Sequence, residues 1–160
     1  MTEADWLVSS DPKLMLESLK GTQSERRLRV FACACCRRIW HLLEDERSRS
    51  SVEVAERYAN GLVSERELAQ ASAIAEEAFK AIPWEPNGMA GAVKLAASAV
   101  WGATAAATEE TIFGVGPVIG LAINTSLQAA DAAEIPESER ASQADLLRDI
   151  LGNPFRDLDR

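Results

Sequence analysis

Leu28-Arg29-Val30-Phe31-Ala32-Cys33-Ala34-Cys35-Cys36-Arg37-Arg38-Ile39-Trp40-His41-Leu42-Leu43 is the run that decides the fold. At about 100° per residue, Leu28, Phe31, Ala32, Cys35, Ile39, Leu42 and Leu43 share one continuous face, with Cys36 and Trp40 at its edge. Arg37, Arg38, His41, Glu44 and Asp45 take the other side. Ser24 is a good N-cap, so the spacing predicts a single helix from Ser24 to about Glu46, roughly 35 Å long.

Outward from this helix, the punctuation is helical throughout. Thr2 caps a short first turn carrying Trp6 and Leu7. Asp11-Pro12 pairs an N-cap with proline at the first helical position, and that segment runs through Leu14, Met15, Leu16 and Leu19 to a stop at Gly21. A third helix is expected over about Ser50 to Asn60, closed by Asn60-Gly61. Ser64-Glu65-Arg66-Glu67 is a capping box, and it opens a helix that lines up Leu68, Ala71, Ala75, Ala78, Phe79 and Ile82. The stretch Pro83-Trp84-Glu85-Pro86-Asn87-Gly88 reads as a loop. Two apolar stretches follow, Met89 to Thr108 and Val118 to Ala133, separated by Gly114, Gly116 and Pro117. The last helix, about Glu137 to Leu151, stops at Gly152-Asn153-Pro154.

Composition agrees. Alanine fills 27 of 160 positions and β-branched residues are sparse, which favours closely packed helices over a sandwich or barrel. Apolar residues at 47% and charged residues at 26% exclude a disordered chain, a collagen-like sequence and a disulfide scaffold. The expected fold is all-α: a single domain over residues 1–160, a bundle of six or seven helices around a buried alanine-rich central pair. Thr111 to Ala130 is uncharged and has the length of a membrane span. Its Gly114, Gly116, Pro117, Gly120, Asn124 and Gln128, and the absence of flanking arginines, fit a buried core helix better.

The net charge is −8, and an acidic domain repels a phosphate backbone, so no nucleic-acid partner is expected. The charge is uneven. Ser24 to Ser50 holds seven arginines against Glu25, Glu44, Asp45 and Glu46, a balance of +3, which leaves −11 for the rest. Ion pairing inside the bundle, or a partner surface, accounts for such a cluster. The opening Met1-Thr2-Glu3-Ala4-Asp5-Trp6 lacks the basic flank and apolar core of a signal peptide, and crowded cysteines do not make an extracellular framework. The expected compartment is the cytoplasm, with reduced thiols.

Four blocks carry a resemblance: Met1 to Leu7 with Asp11-Pro12; Phe31 to Leu43; Val52-Glu53-Val54-Ala55-Glu56-Arg57-Tyr58-Ala59; and Leu146-Leu147-Arg148-Asp149-Ile150-Leu151-Gly152-Asn153-Pro154-Phe155-Arg156. Together they look like an uncharacterised bacterial family of helical proteins that shares this order of blocks around a variable, alanine-rich middle. Members of that family often continue past the closing block. The resemblance implies no catalytic or binding residue.

The chemistry-bearing residues are few. Around a helix Cys35 lies about 160° from Cys33 and about 100° from Cys36, so the three thiols cannot converge on one ion. His41 is the only histidine and faces the polar side, so no metal and no cofactor is expected. Cys33, at the edge of the apolar face near Arg29 and Arg37, is the best-placed thiolate, and with Cys36 it forms the redox candidate. Gly114-Val115-Gly116-Pro117 matches no phosphate-loop spacing, and no small-molecule substrate is identified. The expected function is a non-enzymatic helical protein-interaction module, self-associating or binding another protein. Trp6, Trp84, Trp101, Phe155, Arg37 and Arg38 are its candidate interface residues. The alternative is a cysteine-based redox sensor centred on Cys33 and Cys36.

Overall fold

Capping decides where the helices begin. In the computed structural model, which describes residues 1–19, 24–84, 89–105 and 117–156, Thr2 and Asp5 exchange backbone and side-chain hydrogen bonds in a capping box that opens α1, Glu3–Val8. Asp11 accepts from the backbone N–H groups of Lys13 and Leu14 at 2.9 and 3.2 Å to start α2, Pro12–Ser18. Ser24 opens α3, Glu25–Arg38, and Asp45 opens α4, Glu46–Ala59. The Ser64–Glu67 capping box opens α5, Glu65–Ala81. Then come α6, Met89–Thr104, α7, Pro117–Ala132, and α8, Pro136–Leu151, which ends where Gly152 takes a φ of 73°.

The fold is all-helical, and the described residues contain no strand. Two expectations need correction. Eight α-helices are present among the described residues rather than six or seven, because the opening turn is a complete helix with its own capping box. The helix predicted from Ser24 to Glu46 ends at Arg38, continues as a 3₁₀ turn over Trp40–Leu42, and yields to α4 four residues before the expected Ser50. Asp45 explains the break: its carboxylate accepts from the Arg47 N–H at 2.9 Å and restarts the helix. The expected stop at Gly21, the 85–88 part of the loop and the 106–116 linker lie outside the described residues.

α3 packs against α4, α6, α7 and α8, while α6 lies against α5 and α7. Phe31, Cys35, Ile39, Leu42 and Leu43 are buried together, as the helical wheel predicts, since the apolar phase survives the 3₁₀ turn. They meet Val52, Leu68, Val100, Ile123 and Leu147. Small residues let α6 and α7 approach closely: a Cβ added at Gly102 would sit 2.8 Å from Thr125 Oγ1. No helix among the described residues is long and apolar enough to cross a membrane.

Candidate functional site

α3 carries the cysteines, and its packing decides their chemistry. Cys33 is only 2% exposed, and Cys35 and Cys36 are fully enclosed. Cys33 stands at the edge of the apolar face of α3, but α4 closes over that side, so the expected thiolate is overturned. Burial, and after it the Glu56 carboxylate, push the Cys33 thiol up to about 12, against the weaker opposing pull of Arg29 and Arg37. Cys36 is raised well above the ordinary thiol value by its burial first. Neither is a thiolate near neutral pH. Among the described residues no three His, Cys, Asp or Glu side chains gather as a metal site.

The arginines of the same helix are positioned from outside it. Arg37 donates to Glu56 from Nε at 2.8 Å and from Nη2 at 2.7 Å, and its guanidinium lies 4.1 Å from the centre of the Trp40 ring. Arg38 donates from Nε to Glu139 Oε1 at 2.8 Å, and Glu139 is nearly buried on α8. With Arg26, these two arginines border a groove of about 650 Å³ between α3, α4 and α8, floored by Val30, Ala34 and Leu146.

The aromatic candidates separate by environment. Trp6 is wholly buried and belongs to the core, so it is withdrawn as an interface anchor. Its ring meets Phe155 edge-on with centroids 6.4 Å apart, and Phe155 remains part exposed. Trp101 is half-buried against Phe79 at 5.6 Å. Trp84 is 63% exposed at the end of α5.

The Trp6–Phe155 contact is one element of a clasp that joins the opening and closing blocks. Glu3 accepts from Asn153 Nδ2 at 2.7 Å and from Arg156 Nε at 2.6 Å, and the Arg156 bond above all holds its carboxyl below the usual carboxylate range. Arg148 donates from Nε to the Trp6 carbonyl at 3.1 Å and from Nη2 to the Ser9 carbonyl, closing the C-terminal end of α1.

On the outer side of α1 and α2, an apolar cleft of about 620 Å³ is lined by Met1, Val8 and Leu14, with Asp5 and Glu17 at its sides. Val8 is 83% exposed and Leu14 52%, and Leu7 is also exposed. Sequence reasoning did not single these residues out, since it followed Leu14, Met15, Leu16 and Leu19 as one helical segment without asking which of them faces outward. Three consecutive side chains span about 200° of a helix, so at least one of them had to turn outward. No family model, curated protein or solved structure matches this chain, so its function is read from its own residues.

Proposed function

We propose that the chain is a non-enzymatic, cytoplasmic protein-interaction module whose α1–α2 cleft receives one amphipathic helix of a partner protein. The exposed, contiguous Met1, Val8 and Leu14 carry this reading, because apolar clusters of that kind mark contact surfaces. The surface is also pre-formed: Glu3, Asn153, Arg156 and Arg148 fix α1 on the body, so little order has to be gained on binding. Glu17 is paired with Lys13 at 3.9 Å, so Asp5 at the cleft and the chain's net charge of −8 are what favour a helix with basic flanks. The same net charge disfavours self-association, since a two-fold contact brings two acidic chains together. In this reading the α6–α7 pair is the buried centre of a single-domain scaffold, with Phe155 extending the contact surface. The redox alternative finds no support in the buried Cys33 and Cys36.

A photo-crosslinking side chain at Val8, with one at exposed Glu53 as control, tests the proposal. The peptide captured in native cells only from Val8 is sequenced, synthesised and titrated against pure protein. The expected result is an apolar stripe flanked by Lys or Arg, with binding weakened at least about ten-fold by Val8→Glu and Leu14→Glu. Both variants should change stability by only about 0.5 kcal/mol, since both positions are exposed. Capture of a second copy of the chain, an acidic peptide, or binding that ignores both substitutions would overturn it.

A further inference from the structure

α4 ends in a turn that contains a chemically labile pair. The Gly61 N–H donates to the Tyr58 carbonyl at 2.9 Å and the Leu62 N–H to the Arg57 carbonyl at 2.9 Å, with Gly61 at a φ of 72°. This is a Schellman closure, which puts Asn60 at the C-cap and glycine in the left-handed position that suits it. The same requirement for glycine creates the sequence Asn60-Gly61. With no side chain on Gly61, its backbone nitrogen can reach the Asn60 side-chain carbonyl carbon without a steric clash. Both residues are exposed, so water can enter and ammonia can leave.

In the closed turn every reacting group is held by a hydrogen bond. Asn60 Nδ2, the leaving group, donates to the Glu56 carbonyl at 3.0 Å. Asn60 Oδ1 accepts from Arg26 Nη2 at 3.2 Å, and the attacking Gly61 nitrogen is itself the donor to Tyr58. Arg26 also donates from Nε to the Ala59 carbonyl at 2.9 Å, so one guanidinium of α3 grips two consecutive residues of α4. It draws electron density from the Asn60 amide, but attack first needs the Gly61 nitrogen freed and the amide turned towards it. We propose that Asn60 is a site of spontaneous deamidation whose rate is set by local opening of this turn, with Arg26 as the clamp that holds it shut. In the step itself the Gly61 nitrogen bonds to Asn60 Cγ, its proton passing through water to Nδ2, which departs as ammonia and leaves a cyclic succinimide. Water then adds to one of the ring carbonyl carbons and breaks its bond to nitrogen: at Cγ this gives aspartate, at the backbone carbon isoaspartate. An aspartate there keeps the closure and offers Arg26 a carboxylate, which it lacks among the described residues. An isoaspartate lengthens the main chain by a methylene inside the closure and so cannot preserve its bond pattern. The turn lies away from the α1–α2 cleft, and its chemistry does not depend on the docking proposed there.

Folded protein and protein unfolded in guanidinium chloride are incubated side by side in mildly alkaline buffer. The tryptic peptide Tyr58–Arg66 is followed by mass spectrometry, and isoaspartate is read by its enzymatic methylation. Conversion should be at least about ten-fold slower in the folded chain, since the turn must open first. Arg26→Met keeps the stem and removes both donors, so it should speed conversion of the folded chain at least about five-fold and leave the unfolded rate unchanged. Gly102→Ala, which strains the α6–α7 contact and touches nothing in α4, is the control and should leave the rate of Asn60 unchanged. Hydrogen exchange of the native chain needs no variant: the Gly61 and Leu62 amides should exchange ahead of those in the middle of α3. Conversion as fast in the folded chain as in the unfolded one, a rate indifferent to Arg26→Met, equal acceleration by Gly102→Ala, or Gly61 and Leu62 amides that exchange no faster than those of α3 would overturn the inference.

Discussion

Arg29, on α3, donates from Nη1 to the carbonyl oxygen of Ala103, 2.9 Å away at the C-terminal end of α6. The same nitrogen reaches the Ala105 carbonyl at 3.1 Å, and Nη2 pairs with Glu25 at 3.0 Å. The last carbonyls of a helix have no partner within it and carry the negative end of its dipole, so a buried cation there satisfies both needs. The device recurs. Arg26 serves the Ala59 carbonyl at the end of α4, Arg27 the Leu151 carbonyl at the end of α8, and Lys94 the Phe79 and Ile82 carbonyls at the end of α5. The arginine excess over Ser24–Ser50 is thus largely a matter of assembly: α3 is the helix toward which the carbonyl ends of α4, α6 and α8 are directed.

Arg29→Met tests that reading, because it keeps the length of the stem and removes the donors. Two carbonyls lose their partner, one of them buried, so the variant should lose about 2–4 kcal/mol in urea denaturation. Arg27→Met, which removes a 3.5 Å contact at an exposed position, should lose less than about 1 kcal/mol. Equal losses would mean that the stem of Arg29, and not its charge, holds α3 to α6.

Gly102 sets the spacing of α6 and α7. A Cβ there would lie 2.8 Å from Thr125 Oγ1 and 3.2 Å from Asn124 Nδ2, closer than packed atoms tolerate. Gly102→Ala gains about 1 kcal/mol of helix propensity, yet overpacking costs about 1–3 kcal/mol, so a net loss is expected. Thr125 Oγ1 is buried without a hydrogen-bond partner among the described residues, so removing it breaks none of the hydrogen bonds described. The double variant Gly102→Ala/Thr125→Ala should therefore be more stable than Gly102→Ala alone. A melting series over the native protein, Gly102→Ala, Thr125→Ala and the double variant decides this.

Much of the fold was legible because caps are local. Thr2, Asp11-Pro12, Ser24, the Ser64–Glu67 box and Gly152 each mark an end that the structure places within a residue or two. The break after Arg38 was hidden because Ile39, Leu42 and Leu43 stay on the buried face through the 3₁₀ turn, so the periodicity gave no signal of it. The sites were less legible, since their partners are distant in sequence. Cys33 stands at the edge of its own helix, and only the arrival of α4 with Glu56 buries it and raises its pKa. Trp6 gives no sign in the sequence of which way it faces, because Arg148 and Phe155, which enclose it, lie over 140 residues away.

Asp45 shows how a cap differs from an ordinary surface acid. On a helical wheel it is a polar-face residue, and a substitution there would change stability by only about 0.5 kcal/mol. As the N-cap of α4, Asp45→Ala should instead lose about 1 kcal/mol, while Asp45→Asn should retain most of the cap. The Arg47 guanidinium, and next the Arg47 backbone N–H, hold the Asp45 carboxyl below its ordinary value of 3.8. A lowered carboxyl pKa contributes stability above the unfolded value and loses it as pH falls through the folded one. The gap between the native protein and Asp45→Ala should thus narrow below about pH 3.8, as read from urea curves at a series of pH values.

The buried thiols predict the behaviour at the other end of the pH scale. An unfolded cysteine ionises near the ordinary value of 9.0, whereas Cys33 in the folded chain holds its proton to about 12. Burial makes the native state the one that binds more protons in this window, so its stability is complete below pH 9.0 and declines as pH rises toward 12. One such thiol contributes a slope of about 1.4 kcal/mol per pH unit, and Cys35 and Cys36, raised in the same direction, steepen it. Cys33→Ala should flatten the decline measured between pH 9 and 11, and the difference between the two proteins isolates the thiol from Tyr58 and the lysines, which both share. Cys33→Ser should lose about 1–3 kcal/mol, because it places a hydroxyl where the sulfur is 2% exposed. At pH 8 a disulfide reagent should modify all three cysteines only as fast as the protein unfolds. Rapid modification of Cys33 in the native protein, well ahead of Cys35 and Cys36, would show that α4 leaves its sulfur accessible and would restore the redox role to this helix.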